Sequence, residues 1–139
     1  MPIRTAKAAW KDTLKNGEGA VELGSGAFRG RYSYASRFEE GSGTNPDELI
    51  GAANAGCFSM AFALMLEQAG FPPTGINTEA KVHLDAEQLA ITTIELRTIA
   101  QVPNIEETKF QEIAEQAKSG CPVSKALSGV DIKLNATLK

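Results

Sequence analysis

The pattern of apolar and polar positions divides the chain into a region of strands and turns, a long apolar helix and a mixed second half. Near the start, the short apolar runs 8–10 and 20–23 flank Asn16-Gly17. Two extended runs around an Asn-Gly pair are typical of a β-hairpin. A brief alternation at 32–34 predicts a further short extended segment, and the polar residues 37–43 predict a flexible connection.

A long helix is predicted over residues 46–69. Asn45 suits the N-cap, Pro46 the first helical position and Gly70 the C-terminal cap. No charged residue occurs between positions 49 and 66, and 14 of these 18 residues are apolar.

Eighteen uncharged residues lie at the lower limit for a transmembrane span. The segment is rich in Ala and Gly, however, and acidic Glu48 and Glu67 flank it where a membrane anchor would usually carry Lys, Arg or Trp. We therefore expect a buried helix and no membrane partner. A helix that is apolar on every side needs cover on every side, which predicts a homodimer with an interface of roughly 2,000 Å² or more.

The second half alternates with period two over 76–84 and 89–97, which predicts antiparallel strands with one packed face. His83 falls on the polar face and is expected to be solvated. A helix over 106–119, a short helix over 123–127 and a strand over 130–138 complete the chain. The expected fold is α+β, with antiparallel sheets and a long buried central helix, in a single domain covering residues 1–139.

Composition narrows the function classes. The net charge is −3, and no block of Lys or Arg is present, so nucleic acid is a poor candidate partner. The first residues lack the apolar segment of a signal peptide, which leads us to expect a cytoplasmic protein with reduced thiols. Two cysteines and one histidine are too few for a four-ligand zinc site, so neither a metal nor a cofactor is expected.

The two cysteines are the candidate reactive groups. Cys57 lies well inside the long predicted helix, whereas Cys121 lies near the start of the short helix 123–127, a position that can lower a thiol pKa. To act as a nucleophile, Cys57 would need a nearby cation. Arg37 is the candidate, and either Asp47 or Glu48 could hold its guanidinium in a fixed orientation.

Four blocks of sequence, taken together, resemble the OsmC/Ohr family of osmotically induced and organic-hydroperoxide-resistance proteins, and most closely its OsmC branch. The blocks keep the order and spacing of the family over nearly the whole chain. They are Ser-Arg-Phe-Glu at 36–39, Gly-Thr-Asn-Pro-Asp-Glu-Leu-Ile-Gly-Ala-Ala at 43–53, Gly-Cys-Phe-Ser-Met-Ala at 56–61 and Ala-Lys-Ser-Gly-Cys-Pro-Val-Ser at 117–124.

The resemblance implies an intertwined homodimer and a thiol-dependent peroxidase that reduces organic hydroperoxides, and hydrogen peroxide less well. Cys57 would become a sulfenic acid, and Cys121 would resolve it as an intrachain disulfide. Arg37 would stabilise the thiolate, oriented by Asp47, where the family usually has Glu, or by the neighbouring Glu48. The reductant would be a dithiol, such as a dihydrolipoyl protein.

Helix geometry constrains how these groups could meet. Asp47 and Cys57 are ten residues apart, which is about 15 Å along a regular helix. Either Arg37 bridges this gap, or the acid and the arginine come from the partner subunit, which is the arrangement we favour.

Three alternatives stay open or are set aside at this stage. A non-enzymatic dimer could bind a small hydrophobic ligand while its cysteines stay inert. A cysteine hydrolase would need a base, and the single histidine lies on a solvated strand. Four apolar side chains could form a substrate pocket or could be plain core: Phe38, Phe58, Met60 and Phe62.

Overall fold

The computed structural model describes residues 1–139, which divide into two compact units, Met1–Leu49 and Ile50–Lys139. The first unit contains a three-stranded antiparallel sheet and a short helix. Its elements are β1 (Ala6–Lys11), β2 (Glu18–Leu23), β3 (Arg29–Tyr32) and α1 (Tyr34–Phe38), with the strands in the order β1-β2-β3. The hairpin around Asn16-Gly17 is confirmed, whereas the single domain over residues 1–139 stays a prediction.

Helix α1 occupies part of the segment that the sequence predicted to be a flexible connection. Ser33 and Ser36 form a reciprocal capping box: each hydroxyl accepts a hydrogen bond from the backbone N–H of the other residue. This serine at the third helical position replaces the usual Glu or Gln, so the capping signal was easy to miss.

Helix α2 (Pro46–Gln68) begins where the sequence predicts. The Asn45 Oδ1 atom accepts a hydrogen bond of 2.8 Å from the Glu48 backbone N–H, as expected of an N-cap. Just beyond the helix, Gly70 has a φ of +91°, a left-handed conformation that glycine adopts without strain. By length and composition alone α2 could cross a membrane.

The burial of α2 is one-sided. Its buried side carries Gly51, Asn54, Phe58, Phe62 and Leu66, which recur every three or four residues. The opposite side of the helix is exposed in the single chain, and cover of that side by a partner subunit stays a prediction. Between Glu48 and Glu67, which are exposed near the two ends of the helix, the exposed residues are Ala52, Ala53, Gly56, Met60 and Leu64.

The second unit packs α2 and two further helices against a second three-stranded sheet. Its other elements are β4 (Gly75–Asp85), β5 (Ala90–Gln101), α3 (Glu107–Gly120), α4 (Pro122–Ala126) and β6 (Asp131–Leu138), with the strands in the order β4-β5-β6. β4 and β5 are antiparallel as predicted, but β5 and β6 are parallel. The prediction of antiparallel sheets therefore fails for this pair, because α3 and α4 form a crossover that returns the chain in the same direction.

Aromatic side chains form the centre of the core of the second unit. The rings of Phe58 and Phe62 lie 5.4 Å apart, and those of Phe62 and Phe110 are separated by the same distance. All three side chains are fully buried among residues of the sheet, including Ile94 and Leu96. Phe58 and Phe62 are thus core residues and line no substrate pocket, whereas Met60 on the opposite side of α2 is 77% exposed.

Candidate dithiol site

The fold brings Cys57 and Cys121 into contact, although 64 residues separate them in sequence. Cys57 lies in the middle of α2, and Cys121 lies at the junction where Gly120 ends α3 and Pro122 begins α4. Their sulfur atoms are 2.6 Å apart, and both residues are free cysteines. Cys121 is fully buried and Cys57 is partly exposed, so an external reagent reaches the Cys57 sulfur first.

The surroundings of the two sulfurs favour negative charge on Cys121. Burial and the contact with Cys121 raise the pKa of Cys57. Burial also raises the pKa of Cys121, but interactions with Cys57, with the hydroxyl and backbone N–H of Ser124 and with the Val123 N–H outweigh it, so the net pKa is lowered. Cys121 is the N-cap residue of α4 but makes no side-chain cap hydrogen bond. Of the two thiols, Cys121 therefore has the lower pKa.

Asn54 and Ser124 extend this arrangement and were not identified from the sequence. Asn54 lies one turn before Cys57 on α2 and is fully buried. Its Nδ2 atom donates a hydrogen bond of 3.2 Å to the Ser124 Oγ atom. The available signal was the amide itself, because Asn54 is a polar residue within an otherwise largely apolar run of 18 residues.

In the first unit, Arg37 and Asp47 form a two-pronged ion pair. The Nε and Nη2 atoms of Arg37 each donate a hydrogen bond of 3.2 Å to one oxygen of the Asp47 carboxylate. Glu48 does not share this pairing: its Oε2 atom instead accepts a hydrogen bond of 2.7 Å from the Thr44 hydroxyl. Of the two acids considered from the sequence, Asp47 is the one that holds Arg37.

The backbone around Arg37 is fixed by a local hydrogen-bond network. The Ser36 hydroxyl donates to the Thr44 carbonyl at 2.7 Å, and the Asn45 Nδ2 atom donates to the Ser36 carbonyl at 3.1 Å. The Arg37 guanidinium also lies over the ring of Phe38, 5.6 Å from its centroid. These contacts connect α1 to the first turn of α2 and limit the positions that Arg37 can adopt.

His83 lies away from the thiols on the exposed face of β4, where its Nε2 atom is 2.5 Å from the Glu95 Oε2 atom. This placement confirms the expected solvated histidine. The interaction with His83 lowers the pKa of the Glu95 carboxyl. No group of three His, Cys, Asp or Glu side chains is arranged to hold a metal ion.

The class of protein is defined by an α+β fold that holds two free thiols next to each other. Comparisons with known proteins identify the family. The family model described as OsmC-like protein matches residues 39–135. The chain is also 46% identical over 139 residues to the Escherichia coli protein named Peroxiredoxin OsmC, covering 98% of this chain and 96% of that protein. The chain belongs to the OsmC family, and the match supports a peroxidase role within it, as the sequence analysis predicts.

Solved structures agree with this fold. A Legionella pneumophila protein described as an organic hydroperoxide resistance protein OsmC has a TM-score of 0.74 at 22% identity and covers 99% of both chains. The organic hydroperoxide resistance protein OhrB of Bacillus subtilis has a TM-score of 0.65 at 25% identity, covering 97% of this chain and 98% of its own. The predicted α+β fold of the OsmC type is confirmed.

Proposed function

We propose that this chain reduces organic hydroperoxides, and hydrogen peroxide less well, through a reversible Cys57–Cys121 disulfide. The observation that carries the proposal is the 2.6 Å separation of the two free sulfurs. A sulfenic acid formed on Cys57 would have its resolving thiol already in contact. The similar Escherichia coli protein is named a peroxiredoxin and the Bacillus subtilis protein an organic hydroperoxide resistance protein, which supports hydroperoxides as the substrate class.

The proposed cycle balances without a cofactor. The Cys57 thiolate attacks one peroxide oxygen, the O–O bond breaks, and the alkoxide leaves and takes up a proton to become an alcohol. Cys57 is then a sulfenic acid. The Cys121 thiolate attacks its sulfur, hydroxide leaves and is protonated to water, and the disulfide forms. An external dithiol, for which we propose a dihydrolipoyl protein, supplies two electrons and two protons to restore both thiols.

Arg37 is proposed as the cation that the first step requires. Burial and contact with Cys121 raise the pKa of Cys57, so an added positive charge is needed to make its thiolate abundant. The two hydrogen bonds to Asp47 preorganise the guanidinium for this role. Glu48 is assigned no direct role, because it is bound to Thr44.

We also propose that the active species is a homodimer in the cytoplasm. Between Glu48 and Glu67, the exposed side of α2 consists of residues 52, 53, 56, 60 and 64, all of which are apolar or glycine. A symmetric partner would cover it, and the supply of Arg37 from that partner is the arrangement we favour. Met60→Glu should weaken the dimer, while Gln68→Glu, which places the same charge at the exposed end of α2, should leave it intact. Sedimentation velocity distinguishes a dimer from a monomer in each case.

Turnover with a dithiol reductant tests the proposed activity. With an alkyl hydroperoxide and dihydrolipoamide, the unaltered chain should consume peroxide continuously, and Cys57→Ser should abolish consumption. Cys121→Ser should react once and then stop as a sulfenic acid that a dimedone-type reagent traps. If no hydroperoxide is consumed, the chain is instead the inert ligand-binding protein considered from the sequence. If Cys57→Ser retains full turnover, Cys57 is not the reacting thiol and the proposed cycle is wrong.

A further inference from the structure

Asn54 lies at a position where burying a side-chain amide costs folding free energy. It is fully buried on the packed side of α2, and its Oδ1 atom has no hydrogen-bond partner. An unsatisfied buried acceptor costs about 1–3 kcal/mol, which an alanine or leucine at the same position would avoid. The unpaired Oδ1 atom therefore lowers the stability of the fold, and this cost points to a functional use for the Nδ2 donor group. Its Nδ2 atom donates to a single group, the Ser124 hydroxyl, at 3.2 Å.

That hydrogen bond limits the directions in which the Ser124 hydroxyl can donate its proton. A hydroxyl has one proton to donate and two lone pairs with which to accept. Because Asn54 occupies a lone pair of the Ser124 Oγ atom, the hydroxyl proton is free for a second neighbour. The Cys121 sulfur is the candidate for that neighbour, because Cys121 is the N-cap residue of α4 and Ser124 lies in the same short helix. Interactions with the Ser124 hydroxyl and backbone N–H contribute to the lowered pKa of Cys121. In this arrangement Asn54 donates to Ser124, and Ser124 is oriented to donate to Cys121.

We propose that Asn54 and Ser124 are positioning residues that stabilise negative charge on the Cys121 sulfur, and so make Cys121 the sulfur that leaves when a dithiol reduces the Cys57–Cys121 disulfide. This inference rests on the proposed redox cycle, and it concerns the recycling step rather than the attack on peroxide. The lowered pKa of Cys121 agrees with it.

The identity of the leaving sulfur affects the rate at which a dithiol reduces the disulfide. In the first step, a thiolate of the reductant attacks the Cys57 sulfur, the S–S bond breaks, and the electron pair moves to Cys121. The second reductant thiol then displaces Cys57 and forms the reductant's own disulfide. A leaving thiol of lower pKa leaves faster. Cys121 is also fully buried, so both access and leaving ability direct the reductant to Cys57.

Single-turnover reduction of the disulfide tests the proposal. The disulfide is prepared with diamide, so its formation does not depend on any peroxidase activity, and its reduction by dithiothreitol is followed by stopped flow. Ser124→Ala should slow the reduction several-fold, since a leaving thiol of higher pKa leaves more slowly. Ser124→Thr keeps the hydroxyl and should restore the rate.

A matched serine on a neighbouring helix provides the control. The Ser119 hydroxyl donates to the Glu115 carbonyl within α3, and Ser119 is exposed. Ser119→Ala should leave the rate unchanged. If Ser124→Ala is as fast as the unaltered chain, or if Ser119→Ala is slowed equally, Ser124 does not stabilise the leaving thiolate and the proposal is overturned.

Titration of the Cys121 thiol separates a positioning role from a merely structural one. In a Cys57→Ser background, where Cys121 is the only thiol, ultraviolet thiolate absorbance against pH should show a higher pKa in Ser124→Ala than in the parent. Asn54→Ala should shift the pKa in the same direction. Because Asn54 acts through Ser124, combining the two substitutions should add nothing to Ser124→Ala alone. Additive pKa shifts, or no shift, would refute the relay, by which we mean the proposed hydrogen bonds from Asn54 through Ser124 to Cys121.

The same samples keep this proposal distinct from the proposed function. If a hydroperoxide fails to oxidise the unaltered protein, the peroxidase cycle fails, but the diamide-derived disulfide still reports on Ser124. If hydroperoxide oxidation is normal and reduction is insensitive to Ser124, the relay fails and the cycle stands.

Discussion

The contribution of the Arg37–Asp47 ion pair to the free energy of unfolding can be predicted and measured. Asp47→Asn keeps the size of the side chain but removes its charge. The Asp47 side chain is 10% exposed and that of Arg37 is 34% exposed, so the pair lies between a solvated surface bridge and a buried one. Loss of the charge also removes a favourable interaction with the positive end of α2, of about 0.3–1 kcal/mol. We expect a total loss of about 1–2 kcal/mol in the free energy of unfolding.

Glu48→Gln is the matched control for this substitution. Glu48 also lies in the first turn of α2 and loses the same helix-dipole interaction, but it is exposed and bonds to Thr44 rather than to Arg37. Urea unfolding at fixed protein concentration should show Asp47→Asn to be less stable than Glu48→Gln by about 1 kcal/mol, and added salt should shrink the difference. Equal losses in the two variants would refute the assignment of Asp47 as the residue that holds Arg37.

Three further predictions follow from other contacts. Phe62→Ala should lower the free energy of unfolding by about 3–5 kcal/mol, measured by urea titration, because it empties the centre of a fully buried aromatic cluster. The Glu95 carboxyl should titrate below its ordinary pKa by NMR and move upward in His83→Gln; the stabilisation from this pair is present above the unfolded-state pKa and disappears as the pH falls through the lowered one. Arg37→Ala should raise the pKa of Cys57 and slow its oxidation by an alkyl hydroperoxide in stopped flow, with unchanged rates removing Arg37 from the site.

Local sequence signals accounted for most of the elements. Asn45 and Pro46 placed the start of α2 because capping depends on neighbouring residues only. The alternation at 76–84 and 89–97 identified β4 and β5, because it too depends only on residues that are close in sequence. The direction of β6 was not accessible in this way, because alternation shows which face of a strand is packed but not which neighbour the strand pairs with.

Only part of the candidate site could be predicted from the sequence. The resemblance to a known family paired Cys57 with Cys121, and the fold brings the two sulfurs together. The lowered pKa of Cys121 agrees with its predicted position at the start of a short helix. The raised pKa of Cys57 and the hydrogen bond from Asn54 to Ser124 could not be predicted, since both depend on the packing of α4 against α2. The choice of Asp47 over Glu48 likewise depends on side-chain geometry at the first turn of α2.

The most direct test of the central claim is mass spectrometry of the reduced protein after one equivalent of an alkyl hydroperoxide, with thiols blocked before digestion. We expect a peptide pair joined by a Cys57–Cys121 disulfide within one chain, with one alcohol released per disulfide formed. Recovery of both cysteines as blocked free thiols, with the hydroperoxide unconsumed, would contradict it.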